Sequence, residues 1–345
     1  MNVNKDLVII NNEKISREKT NFYCDNIDVK SIPEDLDKKF SVTLIARNSK
    51  DQRMRQINIE KIRSASNIFT FLFSILKTFK KKEAIYLIIS ITPYTFFSYI
   101  LLFIFRKKIY VYLRSNGYEE YKAILGFIGP VIYHLMFKLV TFKSKVISCQ
   151  ERLFTKRKSH IVFPSELNYS WLENVKKPKT DKPRLLYVGR FKVEKGVFSL
   201  LEIFSKATID AQLSIVGRIK KNLFKKNLTE NKNIVFLGHG FESPKLIDIY
   251  DESNIFILPS FTEAHPKVID ESLARGRPVI IFEEIEHIIQ NRNGIFVSKR
   301  DVKSFVEKIN FVMENYSNIQ ENMKKNILPT KKEFISQMSN ILNDN

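Results

Sequence analysis

A chain of 345 residues that is 44% hydrophobic and 27% charged has material for two domains with separate cores and is too apolar to be disordered. Its two cysteines, Cys24 and Cys149, are far apart and exclude a disulfide framework or a cysteine-based zinc site. The net charge of +20 is uneven, because residues 1–165 hold 29 Lys or Arg against 14 Asp or Glu.

The chain opens MNVNKDLVII, whose apolar run is too brief for a signal-peptide core, so a cytoplasmic setting is expected. Asp6 to Ile10 reads as the first strand and Phe40 to Ala46 as another. Between them NNEKISREKT is expected to be a loop, and without a glycine it offers no close backbone approach to a phosphate. Ser66 to Lys82 places Phe69, Leu72, Phe73, Leu76 and Phe79 at helical spacing, giving a helix with an apolar face and a basic end. That helix rests either on the sheet or on anionic lipid. Ala84 to Phe105 is 22 residues without a charge, enough to span a bilayer, but Pro93 divides it. The run therefore reads as a strand, Ala84 to Ile91, then a helix, Tyr94 to Phe105, leading to a strand, Ile109 to Leu113. Arg114 and Asn116 follow that strand, where the ligand crevice of an open parallel sheet lies. Val131 to Phe142 is an apolar helix in which His134 is a packed or surface residue, and Lys145 to Ser148 and His160 to Phe163 are strands. The lysine-rich stretch Ser170 to Asp181 reads as a linker.

In the second half, the strand Arg184 to Gly189 runs into Arg190, then FKVEKG, then a helix from Val197 to Lys206. A strand, a glycine and a helix amino end make an anion cradle, to which Arg190 and Lys195 add two positive charges. Strands follow at Leu213 to Gly217 and Asn233 to Gly238, the former leading into Arg218 and residues 219–221. Asn254 to Leu258 is a buried strand ended by Pro259, Lys267 to Arg275 a helix closed by Gly276, and Pro278 to Phe282 another strand. This strand, loop, helix, strand order is a parallel crossover unit. Glu263 lies just before the helix and Glu271 within it, beside an amino end that favours an anion. Glutamates there repel an anion unless they contact hydroxyls, and a phosphate carried on a sugar or ribose supplies both groups. Asn293 to Ser298 is a last strand, with helices from Asp301 and from Lys331 to Leu342.

Glu263 and Glu271 stand eight apart in PSFTEAHPKVIDESLARGRPVI, and Gly189, Arg190, Lys195 and Gly196 form G-R-x4-K-G. Together these resemble the donor site of retaining glycosyltransferases of the GT-B type, family four (glycosyltransferase group 1). The resemblance is specific over residues 184–300 and only topological over the first 165. It implies an α/β protein of two Rossmann-like domains facing across a cleft: an acceptor domain at 1–168, a linker at 169–183, a nucleotide-sugar domain at 184–330, and a terminal helix at 331–345 returning to the first domain. It implies transfer of a sugar from a nucleoside diphosphate sugar to a glycan or lipid-linked glycan, in lipopolysaccharide, capsule or exopolysaccharide synthesis, with no metal and no other cofactor. Arg190, Lys195 and Glu263 are the implied catalytic residues, and Gly189, Gly217, His265, Lys267, Val268 and Glu271 complete the donor site. Arg114 and Asn116 fall on the acceptor side.

The pattern departs from the family at three places: the missing glycine loop, the absence of a histidine near Arg114, and the basic residues after Gly217, so neither an imidazole base nor the nucleotide base is carried over. The basic first half, with Lys80 to Lys82 and Arg106 to Lys108, is expected to dock on an anionic membrane surface, the cytoplasmic face of the inner membrane. No RNA or DNA module is present, so nucleic acid is not an expected partner. The alternatives are a catalytically inactive GT-B partner subunit and a basic nucleic-acid-binding protein.

Overall fold

The computed structural model describes residues 5–81, 83–149, 159–218 and 231–344, and the structural statements that follow concern these. Lys82 and residues 219–221, singled out above, lie outside them. The chain divides into two compact units, Met1–Phe163 with Lys332–Asn345, and Pro164–Lys331.

The first unit begins with β1 (Asp6–Glu18) and β2 (Asn21–Cys24), then α1 (Ile27–Asp37), β3 (Ser41–Asn48), β4 (Arg55–Ile57), β5 (Lys61–Ala65) and α2 (Ile68–Leu76). It continues with β6 (Ile85–Ile89), α3 (Pro93–Ile104), β7 (Lys108–Leu113), α4 (Gly117–Leu125), α5 (Ile128–Phe142), β8 (Lys145–Ser148) and β9 (His160–Ile161). Pairing is parallel in the order β5-β3-β1-β6-β7-β8-β9. Strands covered on both faces need apolar residues at every position, and β6 (IYLII) supplies them. Alternate residues sort to opposite faces. Leu7, Ile9, Leu87 and Ile89 pack with α1 and the C-terminal helix Lys331–Asn343, whereas Val8, Ile10, Tyr86 and Ile88 pack with α2, α3 and α5.

Two expectations change here. The stretch NNEKISREKT is not a loop, because β1 runs through it after a register shift between Ile10 and Lys14 and turns back into antiparallel β2, which pairs β4. With no glycine to open a turn at residues 11–18, Ile15 is instead drawn fully into the core and carries the strand onward. Helix α2 is shorter than Ser66 to Lys82: Asn67 and Thr70 cap each other reciprocally at its start, and it ends at Leu76, before the lysine run.

The second unit contains α6 (Tyr169–Leu172), β10 (Arg184–Val188), α7 (Val197–Lys206), β11 (Gln212–Val216), β12 (Ile234–Gly238), α8 (Ser243–Glu252) and β13 (Ile255–Leu258). It ends with α9 (Lys267–Ala274), β14 (Val279–Phe282), β15 (Ile295–Ser298), α10 (Val302–Glu314) and α11 (Tyr316–Met323). Its parallel sheet has the order β12-β11-β10-β13-β14-β15, so the winding reverses between β10 and β13. Residues 169–183 are not a detached linker but part of this unit. Trp171 is buried edge-on to Tyr250 at 5.5 Å. The buried Arg275 pairs with Asp251 at 2.7 Å and uses its remaining donors on the carbonyls of Trp171, Glu173 and Asn174. A buried guanidinium needs every donor met, and this stretch of backbone supplies the acceptors.

Candidate functional site

In an open parallel sheet a ligand sits outside the carboxyl ends of the strands where the winding reverses. Here that point lies between the loop after β10 and the loop after β13, which carry the two sequence motifs. Glycines allow close backbone approaches here, Gly189 and Gly217 between the ends of β10 and β11, and Gly196 against the end of β13. Gly189 donates its N–H to Val216 O at 2.9 Å, and a Cβ on Gly217 would fall 2.2 Å from Gly189 O. Gly196 has φ +65°, and a Cβ there would meet Pro259 O at 1.8 Å. Only glycine permits both that backbone turn and the approach of the α7 amino end to the end of β13.

The motifs meet through side chains as well. Lys195 Nζ donates to Glu263 Oε1 at 2.6 Å, and Ser260 Oγ donates to the same oxygen at 2.7 Å. His287 Nε2 lies 3.1 Å from Glu263 O. Arg190 is exposed, with its carbonyl accepting from Tyr187 Oη at 3.0 Å, so the backbone is fixed while the guanidinium reaches solvent. Neither α7 nor α9 has a side-chain cap at its amino end, so no cap side chain meets the positive end of either helix dipole.

Around α9 the expected donor residues are held individually. His265 Nε2 is 3.0 Å from Asp270 Oδ2, and Arg292 donates to the other carboxylate oxygen at 2.6 Å. Lys267 Nζ pairs with Glu166 at 2.7 Å, both side chains being 13% exposed. Val268 is half-buried in the first turn, its carbonyl 3.3 Å from Tyr250 Oη. Tyr250 Oη also donates to Glu271 Oε2 at 3.0 Å. Glu271 is buried, and burial raises its pKa from the usual carboxylate range to about 7, opposed by the Tyr250 hydrogen bond.

Arg300 was not evident as a site residue. Its guanidinium packs 4.0 Å from the Phe261 ring centroid and 4.4 Å from that of Phe282, donates to Pro259 O at 3.0 Å and pairs with Glu284 at 2.6 Å. It thereby fixes the loop that carries Ser260 and Glu263. Nothing local marks it, since it follows β15, 40 residues from that loop. Tyr250, the hydrogen-bond donor to Glu271, carries no motif signal either.

In the first unit, Arg114 pairs with Asp28 at 2.6 Å and approaches Glu13 at 3.9 Å. Asn116 caps α4 through Tyr118 N at 3.1 Å and donates to Glu119 at 3.0 Å. Both therefore make structural contacts at the carboxyl end of β7. His134 is exposed, its Nδ1 3.0 Å from Tyr118 Oη.

Residues 171–328 match the family described as Glycosyl transferases group 1. The capsular polysaccharide biosynthesis glycosyltransferase CapM of Staphylococcus aureus is 28% identical over 142 residues, 38% of this chain and 37% of that protein. Matches to two further curated relatives cover 61% and 48% of their lengths, so the chain spans from about a third to three fifths of these relatives. Among solved structures, sucrose-phosphate synthase from Thermosynechococcus elongatus superposes with a TM-score of 0.71 at 15% identity, covering 98% of both chains. HepE of Anabaena, in complex with UDP and glucose, gives 0.66 at 13% identity, covering 97% of this chain and 99% of that one. The fold is GT-B, built from two Rossmann-like units.

Proposed function

Because residues 171–328 match the glycosyl transferases group 1 family and the fold is GT-B, we propose that this protein is a retaining glycosyltransferase. It moves a sugar from a nucleoside diphosphate sugar to a hydroxyl of a glycan or lipid-linked glycan in the synthesis of a bacterial surface polysaccharide. One observation carries the reading: the winding of the second sheet brings Lys195 within 2.6 Å of Glu263, joining a cationic loop and an acidic loop at its switch point.

The reaction breaks the bond between the anomeric carbon and the diphosphate oxygen, so negative charge grows on the leaving group. Arg190, Lys195 and the uncapped amino ends of α7 and α9 hold positive charge fixed in advance where that growth occurs, which favours the transition state over the ground state. Glu271 accepts from the ribose hydroxyls. Glu263 and the backbone at Lys267 orient the sugar. The acceptor oxygen bonds to the anomeric carbon on the face the diphosphate leaves, and its proton passes to the departing phosphate oxygen, so configuration is retained. The charge balance is met by side chains and backbone, and the reaction is proposed to need no divalent metal. HepE holding UDP makes UDP-sugars the first donors to try, and the name of CapM supports a surface glycan as product. We assign the enzyme a peripheral position on the cytoplasmic membrane face, a reading that the basic first half supports; among the described residues no helix is long and apolar enough to cross a membrane.

The experiment is a screen of UDP- and GDP-sugars by thermal shift, then donor turnover with product linkage read by NMR. Saturation at 100 times the dissociation constant stabilises by about 2.7 kcal/mol. Turnover with a retained anomer that persists with chelator is expected. An inverted anomer, loss of turnover in chelator, or neither binding nor turnover would refute the proposal.

A further inference from the structure

Helix α5 is apolar on both sides. Toward the sheet it buries Tyr133, Met136 and Val140, while Ile128, Val131, Leu135, Leu139 and Phe142 on the other side are 50% to 63% exposed. The outward set falls at i, i+3, i+7, i+11 and i+14, a single stripe at helical period. Helices α2 and α3 pack on the same sheet face, and α3 adjoins both α2 and α5. They extend the stripe with Phe69 at 80% and Phe73 at 57% on α2, and with Ile104 at 66% on α3. A contiguous apolar surface spread over three helices is a binding face rather than ordinary surface.

The charge around this face identifies its occupant. Helices α2, α3 and α5 contain no acidic residue, and their one charged residue is Lys138. At the margins the ammonium of Lys77 lies 4.6 Å from the Phe73 ring centroid, that of Lys107 4.7 Å from Phe79, and that of Lys143 5.7 Å from Phe142. Lysine ammonium groups held over aromatic rings at the margin of an apolar face suit a boundary between hydrocarbon and anionic headgroups. A second copy of the chain would bring the same cations against these cations. We propose that the outward faces of α5, α2 and α3 form a monotopic anchor that enters an anionic bilayer. At 15 residues α5 is about 22 Å long, short of the roughly 30 Å hydrocarbon core, so it lies in the membrane plane, its apolar stripe about 5–10 Å into the headgroup and acyl boundary.

The inference deepens the membrane-face reading given under Proposed function, on which it rests, and differs from docking by surface lysines alone. Electrostatic docking fades as salt rises, whereas inserted apolar side chains hold. The test is flotation with phosphatidylglycerol/phosphatidylcholine vesicles and with phosphatidylcholine alone, for the parent and for Leu135→Asp/Leu139→Asp, whose positions are exposed. The parent is expected to bind the anionic vesicles, to stay bound at high salt, and to lose more than about tenfold in affinity in the double variant. In Leu139→Trp, the tryptophan emission is expected to shift to the blue on adding vesicles and to be quenched by lipid-attached quenchers. Thermal unfolding and UDP affinity of the double variant should match the parent. Equal vesicle binding by both proteins, binding that disappears at high salt, or a parent dimer that the double variant dissociates without change in vesicle binding would overturn the anchor. Donor turnover on the same samples tests the enzymatic reading separately: anchoring without turnover leaves this inference standing and removes that one, and turnover without anchoring does the reverse.

Discussion

Replacing Glu271 by Gln tests both the electrostatics of the second unit and the role given to this residue. Burial raises the folded pKa of Glu271 to about 7 from its ordinary value of 4.5. A carboxyl raised in this way stays protonated in the folded state while the unfolded chain ionises, so the unfolded state binds fewer protons between the two values. Its contribution to stability is present below about 4.5 and is lost as pH rises through about 7. At one pKa unit per 1.36 kcal/mol, the loss has a ceiling on the order of 3 kcal/mol. Gln at this position keeps an acceptor for Tyr250 Oη and has no proton to release. The variant should therefore gain relative to the parent as pH goes from 5 to 8, by up to that ceiling. Urea denaturation followed by fluorescence reads this locally, because the sole tryptophan, Trp171, is buried 5.5 Å from Tyr250 in the same unit. Nucleotide binding should show the opposite preference. The ionised carboxylate is the better acceptor for ribose hydroxyls, so parent affinity should rise through pH 7, and Glu271→Gln should lose about 1.5 to 3 kcal/mol together with the pH dependence. Identical stability slopes in the two proteins would refute the burial argument, and equal nucleotide affinity would refute the ribose contact.

Lys195→Ala and Arg190→Ala should abolish transfer while leaving the unfolding midpoint within a few degrees, because both side chains sit on a loop outside the core; near-normal turnover at low donor would remove the diphosphate assignment. Gly196→Ala should destabilise by at least about 1 to 2 kcal/mol, since the left-handed turn and the contact with Pro259 O both exclude a Cβ, and calorimetry showing no loss would contradict that geometry. Arg275→Ala should cost on the order of 3 kcal/mol, because it leaves the buried Asp251 carboxylate with only the longer Arg277 pairing at 3.5 Å and releases the carbonyls of Trp171, Glu173 and Asn174. Its Trp171 emission should redshift as that segment loosens, and an unchanged spectrum with unchanged stability would count against the anchoring role.

The alternation of buried strands and helices is legible in the residues alone, because residues covered on both faces must be apolar in unbroken runs such as IYLII and IFIL. The sequence also made an anion cradle the expectation at Gly189, Arg190, Lys195 and Gly196, since they lie in one short segment between a strand and a helix. What depends on residues far apart in the chain emerges with the fold. Lys195 and Glu263 are 68 positions apart and meet because β13 pairs with β10 rather than with its sequence neighbour β12. Tyr250 reaches Glu271, and Arg300 the loop after Pro259, through the same winding. Residues 169–183 belong to the second unit because Arg275, about a hundred residues on, needs acceptors that only folding brings to it. The outward stripe of α5 is the subtlest case. Its apolar residues are evident in the sequence on both sides of the helix, but periodicity cannot tell a buried face from an open one. The sheet occupies the side of Tyr133, Met136 and Val140, and Leu135 and Leu139 are left facing outward.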